Sequence, residues 1–323
     1  MSRGDRIKVC IGVVLIALIV VAIFALPVLQ IGRVWSWVGS VPAQREPYKL
    51  VQEQSFAADE VRTIELAWGS GDATLVVGDG DAFVVREEAR PNEAGDMPQK
   101  ALVRAENGCL TVRWNKDGGT STSTVFSGFT HGSIGGERRI TIEVPRDVAN
   151  KLEAISLSGT SGTYRLEQLS CQALTADLTS GDLVCNDVGA QQARIACTSG
   201  DVAVAGSSIG SLDMGLTSGD LSFNGSVADT ARLDLTTGDA KVSFAQLPQT
   251  LDVTFTSGDV ELSMPADAGF TATVERGWGD VTSDFASSDA SDADGRTRVY
   301  RNGDGSAAIT VALTSGDLVL SEQ

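Results

Sequence analysis

Five aspartates recur along the chain at nearly constant distance. Asp182, Asp201, Asp220, Asp239 and Asp259 are separated by 19, 19, 19 and 20 residues. Stacked side by side, they would form a ridge of carboxylates, and calcium takes about six to eight oxygen ligands from carboxylates, carbonyls and water. Ordinary turn chemistry is the competing expectation. Each Asp follows Gly in a Thr-Ser-Gly-Asp-like turn, where its carboxylate would accept backbone N–H bonds within its own turn. The repeat is also about twice the nine residues of the calcium-binding β-roll. Turn capping is therefore the expected role, and the five aspartates are weak calcium candidates.

Other residues with chemical potential lead to weaker constellations. The chain has one histidine, His131, which excludes a multi-histidine metal site. A Ser-His-Asp triad would have to use that one imidazole. Gly206-Ser207-Ser208-Ile209-Gly210 fits the G-x-S-x-G pattern. A nucleophile elbow needs strand-turn-helix surroundings, however, and this segment falls at a turn between repeats. Asp289, Asp292 and Asp294 precede Gly295 in the manner of an EF-hand loop. Counting Gly295 as its sixth position puts Arg301 at the twelfth, where that loop needs an acid. Trp278 replaces Ser just before Gly279 and is expected to pack locally at its corner. No catalytic residue and no cofactor site emerge, calcium aside, so the expectation is a protein that is not an enzyme.

The elements that position these residues follow from the repeat. Gly-Asp recurs at Gly181, Gly200, Gly219, Gly238, Gly258, Gly279 and Gly316; Gly162-Thr163 extends the series backwards, and Gly71-Asp72 is an earlier, isolated copy. A period near 20 residues marks self-similar units that stack. Counting from each Gly, positions −7, −5 and −3 are apolar, as in Leu212, Met214 and Leu216 or Leu251, Val253 and Phe255. Positions +2 and +4 continue the alternation, as in Val202 and Val204 or Leu318 and Leu320. Strict alternation is the pattern of strands with one buried face. The predicted fold is all-β: a single-stranded β-solenoid with coils of about 19–20 residues, preceded by one N-terminal transmembrane helix.

Stacking sets equivalent residues about 4.8 Å apart. Thr179, Thr198, Thr217, Thr236 and Thr256 should then align, and so should Arg194, Asp213, Arg232 and Asp252 at the outward position −6. The alternation of charge in the second column supports this register independently of hydrophobicity, since in-register opposite charges attract. Cys185 and Cys197 occupy inward positions and read as small core residues rather than as a disulfide between coils. Cys109 and Cys171 have no evident partner.

The ends of the chain differ in character. Residues 9–32 are almost wholly apolar, and about 20 such residues span the hydrocarbon core of a bilayer. Arg3, Arg6 and Lys8 precede them, which predicts a cytoplasmic tail over 1–8 and an extracellular C-terminal domain at the cell membrane. A linker follows over 33–60. Residues 61–150 are read as a first coil with a β-hairpin insertion, and 151–323 as the repeats, with an insertion at 281–308. Within these, Gly78-Asp79-Gly80-Asp81 turns the chain into a returning strand, and a hairpin forms around Asn302-Gly303-Asp304-Gly305. Residues 1–40 carry a net charge of +3; removing them from the chain's −17 leaves −20 for the rest. Such a surface disfavours nucleic acid and anionic lipid.

The early Gly-Asp coil, the strand Ile140-Thr141-Ile142-Glu143-Val144-Pro145 and the tandem Leu-Thr-Ser-Gly-Asp-Leu coils together resemble the bacterial putative-adhesin family, over roughly 61–320. The resemblance implies a surface β-solenoid of unassigned ligand, in some cases linked to envelope-stress operons, and supplies no catalytic motif. Expected partners are the membrane, through the N-terminal helix, and an envelope protein or glycan. The leading reading is an adhesin or envelope scaffold. Its alternatives are an envelope-stress sensor working with a membrane partner and a polysaccharide-active β-helix enzyme.

Overall fold

The alternation read from the repeat is realised as strands. The computed structural model describes residues 47–92, 95–114, 137–288 and 295–323. In chain order the strands are β1 (Lys49–Ala57), β2 (Val61–Ser70), β3 (Asp72–Gly78), β4 (Ala82–Ala89), β5 (Leu102–Glu106), β6 (Gly108–Arg113), β7 (Arg138–Pro145), β8 (Leu152–Glu167), β9 (Ser170–Asn186), β10 (Gly189–Ser199) and β11 (Val202–Ser218). Then come β12 (Leu221–Thr237), β13 (Ala240–Gln246), β14 (Thr250–Ser257), β15 (Val260–Met264), β16 (Phe270–Trp278), β17 (Val281–Ser283), β18 (Ser287–Ser288), β19 (Thr297–Asn302), β20 (Ala307–Ser315) and β21 (Leu318–Glu322). All belong to one hydrogen-bonded sheet. Among the described residues there is no α-helix, only a 3-10 turn at Ala58–Glu60.

Successive repeats lie side by side, parallel and in register. Arg194 pairs with Thr175 on one side and Asp213 on the other; Arg232 continues from Asp213, and Asp252 from Arg232. The predicted charge column is therefore correct. The threonine column is bracketed by register pairs, as Leu216↔Leu235 and Ser218↔Thr237 flank Thr217 and Thr236. Inward residues such as Met214, Leu233, Val253 and Val311 are buried, so each repeat covers the apolar face of its neighbours. The turn expected at Gly206 belongs to a second corner whose recurrence was not foreseen: Gln168, Asp187 and Gly206 all have left-handed backbone, at φ of 58°, 54° and 62°.

Both ends of the stack depart from chain order. At the first, β7 lies between β3 and β4, parallel to β3 and antiparallel to β4. The strand expected to return directly after the turn at 78–81 is thus separated from β3 by a strand formed about sixty residues later. β6 likewise flanks β2, and β5 covers β6. At the other end the expected hairpin around Asn302 does not form. β16 lies between its two arms, antiparallel to β19 and parallel to β20. The last strands in sequence are inner layers: β20 pairs with both β14 and β16, and β21 with both β15 and β17. Antiparallel strands, β4 and β5 at the first end and β19 at the other, cover the parallel strands they pair with, which shortens the open parallel edge.

Part of the expected linker is folded. β1, within 33–60, pairs antiparallel with β4. Tyr48 just before it is clasped by two guanidinium groups, Arg90 and Arg139, at 4.3 and 4.4 Å from the ring centre. From Tyr48 onward the chain forms one compact unit. The tail over 1–8, the transmembrane helix over 9–32 and residues 33–46 of the linker lie outside the described residues. Among the described residues no helix is long and apolar enough to cross a membrane.

Candidate functional site: the aspartate ridge and the charged face

The Thr-Ser-Gly-Asp turn produces the ridge through its glycine. Gly200, Gly219, Gly238, Gly258, Gly316 and Gly279 have φ between +120° and +138°, a region that side-chain-bearing residues rarely enter. A Cβ on Gly219 would also stand 2.1 Å from the carbonyl oxygen of Gly200. Consecutive corners are thus in backbone contact, and this proximity decides where the carboxylates bond. Asp182 Oδ1 accepts the backbone N–H of Asp201 at 3.0 Å, Asp201 that of Asp220 at 2.9 Å, Asp220 that of Asp239 at 2.9 Å and Asp239 that of Asp259 at 3.0 Å. Asp259 holds Asp317, and Asp317 holds Asp280, at 2.9 and 2.8 Å. Each Asp from Asp182 to Asp317 therefore caps the next corner, not its own, and Asp280 ends the series. The expectation of capping within one turn is corrected on this point. Thr163 interrupts the series: its N–H donates to Asp72 Oδ1 at 3.3 Å, but it offers no carboxylate to Asp182.

This geometry bears on calcium. In every carboxylate of the series before Asp280, one oxygen is already bound to a neighbouring N–H. Among the described residues no group of three or more His, Cys, Asp or Glu side chains is arranged to hold a metal ion. Asp289, Asp292, Asp294 and His131 lie outside the described residues.

The adjoining outer face carries the charge column. Arg194 Nη1 stands 3.4 Å from Asp213 Oδ2, and Arg232 Nε donates to Asp234 Oδ2 at 2.7 Å. The bonded Asp234 carboxylate, with Asp213 and Asp252 on either side, holds the Arg232 guanidinium above its ordinary pKa. These side chains border an open depression of about 720 Å³ whose floor includes Ala196 and Gly215. A second depression, of about 640 Å³, runs beside the aspartate ridge.

The remaining candidates resolve into structure. Ser207 is buried and accepts the Val188 N–H at 3.1 Å, while its hydroxyl donates to the Ala205 carbonyl. It locks the second corner, and no helix follows it. Cys171, Cys185 and Cys197 are buried free thiols, and Cys109 is half-buried and free. Burial pushes the Cys171 thiol up to about 11 and the Cys185 thiol up to about 12. Neither is a nucleophile at neutral pH. Trp278, expected to pack locally, is 80% exposed; it pairs only through its backbone, with Ser315.

Sequence reasoning missed a buried ion pair near the first end. Glu87 and Arg138 are almost fully buried, with Glu87 Oε1 3.7 Å from Arg138 Nη1. Glu87 Oε2 accepts from Gln52 Nε2 at 2.8 Å and from the Ala101 N–H at 2.9 Å. Arg138 lies over the Trp114 ring at 4.3 Å and donates to the Gln99 carbonyl. The signal was available: Phe83, Val85 and Ala89 point inward, so Glu87 shares their phase.

The family model described as Toastrack DUF4097 matches residues 61–321. The chain belongs to this family. The Toastrack match takes in every Gly-Asp corner of the stack and leaves out β1. No curated protein matches the chain. Among solved structures, it is similar to one described as a "putative lipid binding protein" from Parabacteroides distasonis, with 12% identity and a TM-score of 0.47 over 83% of this chain and 96% of that one. It is also similar to a "putative adhesin" from Bacteroides fragilis, with 12% identity and a TM-score of 0.45 over 84% of this chain and 97% of the other. Likenesses this distant say nothing of what the Toastrack domain of this chain binds.

Proposed function

We propose that the chain is a non-enzymatic cell-surface protein, an adhesin or envelope scaffold. In this reading the stacked repeats form a single-stranded β-solenoid, held outside the cell by a transmembrane helix over 9–32 with its N-terminus in the cytoplasm. The observation that carries the proposal is the in-register stack. Apolar side chains of each repeat are covered by its neighbours, and the outward positions present evenly spaced Thr, Ser, Asp and Arg on a rigid frame. Contact with a partner, not chemistry at a point, is what such a surface supports. The uncharged, apolar run between Lys8 and Arg33 supports the anchor.

Three measurements on the full chain in its native membrane test this. Protease added to intact cells should remove the repeats, and alkaline extraction should leave the chain in the membrane fraction. Cross-linking in the intact envelope should then capture a discrete protein or glycan partner. Repeats protected in intact cells, or a chain that cross-links to nothing, would overturn the reading.

A further inference from the structure

The charge column on the outer face is self-complementary. Read along the stack, its members are Arg194, Asp213, Arg232 and Asp252. Read in the opposite direction, the signs are exchanged at every position. Two identical faces brought together with their stacking axes antiparallel would thus place Arg194 opposite Asp252 of the second copy and Asp213 opposite Arg232. The two-fold axis would lie in the contact plane, midway between the Asp213 and Arg232 strands, and runs along the strand direction. With the axis along the strands, equivalent strand positions face one another, and each contact occurs twice, as in any isologous interface.

Three further observations fit this arrangement. Among the described residues Asp252 has no ion pair in its own chain, and Arg194 has only the loose one to Asp213 at 3.4 Å, with its side chain 70% exposed. The neighbouring columns bring no like charges together: Gly215 faces Asp234, Ala196 faces Thr254, and Asp177 faces Ala312. Gly215 is also unlike the corner glycines. It sits within β11, and a Cβ there would meet nothing within 4 Å. Its own fold does not require glycine, and a glycine inside a strand often marks the close approach of another molecule. In the antiparallel pair, the open space above it receives Asp234 of the second copy.

We propose that this face is a homotypic interface, occupied by a second copy of the chain in antiparallel orientation. Eight paired strands at about 4.8 Å and five residues at about 3.3 Å give a face of roughly 600 Å² per copy. The total of about 1,200 Å² is at the lower end of stable interfaces, so the pair is reversible and weakens as salt rises. The pairing depends neither on the anchor nor on the partner proposed above.

The test uses two differently tagged copies of the full chain, co-expressed, with co-purification as the readout. Wild-type copies should co-purify. Arg194→Asp paired with itself, and Asp252→Arg paired with itself, should each lose about tenfold or more of the co-purified partner, because symmetry repeats the repulsion twice. Arg194→Asp co-expressed with Asp252→Arg should return to within about twofold of wild type, since opposite charges face one another again. Gly215→Trp, which leaves every charge in place, should abolish association by filling the open space. Absence of wild-type association, retention in either charge variant or in Gly215→Trp, or failure of the complementary pair to restore it would each overturn the proposal.

Discussion

The Asp220 carboxylate accepts the backbone N–H of Asp239 at 2.9 Å, joining residues nineteen apart in sequence and adjacent in the stack. The same bond recurs along the ridge, so the most regular feature of the sequence is an inter-repeat fastener. Asp220→Ala is expected to lower unfolding stability by about 1 kcal/mol, an exposed charge-assisted bond being at the weak end of its range. Asp220→Asn, which keeps an acceptor oxygen, should lose less than half of that. Urea unfolding monitored by circular dichroism measures both. A midpoint unchanged in the Ala variant would show that the bond adds nothing.

Two glycines four residues apart should respond in opposite directions. Gly219 has φ of +132° and no room for a Cβ, so Gly219→Ala is expected to cost about 3 kcal/mol or more. Gly215 has open space, so Gly215→Ala should leave stability unchanged or raise it by about 0.5–1 kcal/mol, through a less flexible unfolded chain. Thermal melts of the two variants decide this. Similar losses in both would contradict the assigned geometry.

Alkaline pH should loosen the core. Burial raises Tyr164 from 10.0 to about 12, Cys171 from 9.0 to about 11 and Cys185 from 9.0 to about 12. These groups are neutral when folded and ionise more readily when unfolded. The stability they contribute is therefore complete below about pH 9 and is lost progressively as pH rises towards 12. The melting temperature should fall over that window. Tyr164→Phe should flatten the part above pH 10, while lowering stability at neutral pH by removing the 2.6 Å bond from Tyr164 to the Trp68 carbonyl.

Thiol reactivity should separate the four described cysteines. A maleimide applied to the native protein at pH 8 should modify Cys109 and spare Cys171, Cys185 and Cys197 until denaturant is added. Peptide mass mapping gives the answer directly. Rapid native labelling of Cys185 would mean that the repeats open far more readily than their packing implies.

The sequence alone revealed the strands of the repeats, the Gly-Asp corners and the charge column, because alternation and period are local properties carried by residues such as Leu212, Met214 and Asp213. It did not reveal the order of layers at the ends. β16 and β20 have the same inward pattern, and nothing in either says which neighbours β14. Asn302-Gly303-Asp304-Gly305 has the composition of a tight turn, and such a turn suits a hairpin equally well whether or not a third strand comes between its arms. The aspartate ridge was legible as a ridge but not as a fastener. The choice between its own turn and the next depends on how closely corner backbones approach, which the left-handed glycines set. Glu87 was legible by phase, yet its partner Arg138 comes from a strand about fifty residues away.

The placement of β20 and β21 has a consequence for biosynthesis. β20 and β21 form an interior course whose two flanking courses, β14 with β15 and β16 with β17, are made earlier. A growing chain therefore holds a gap one strand wide until β20 and β21 have been made. Any product cut short by a premature stop or by proteolysis presents two raw edges facing each other, not a single blunt one. Closure of the core therefore waits on these two strands, and the cell receives a sealed molecule only once both have been made.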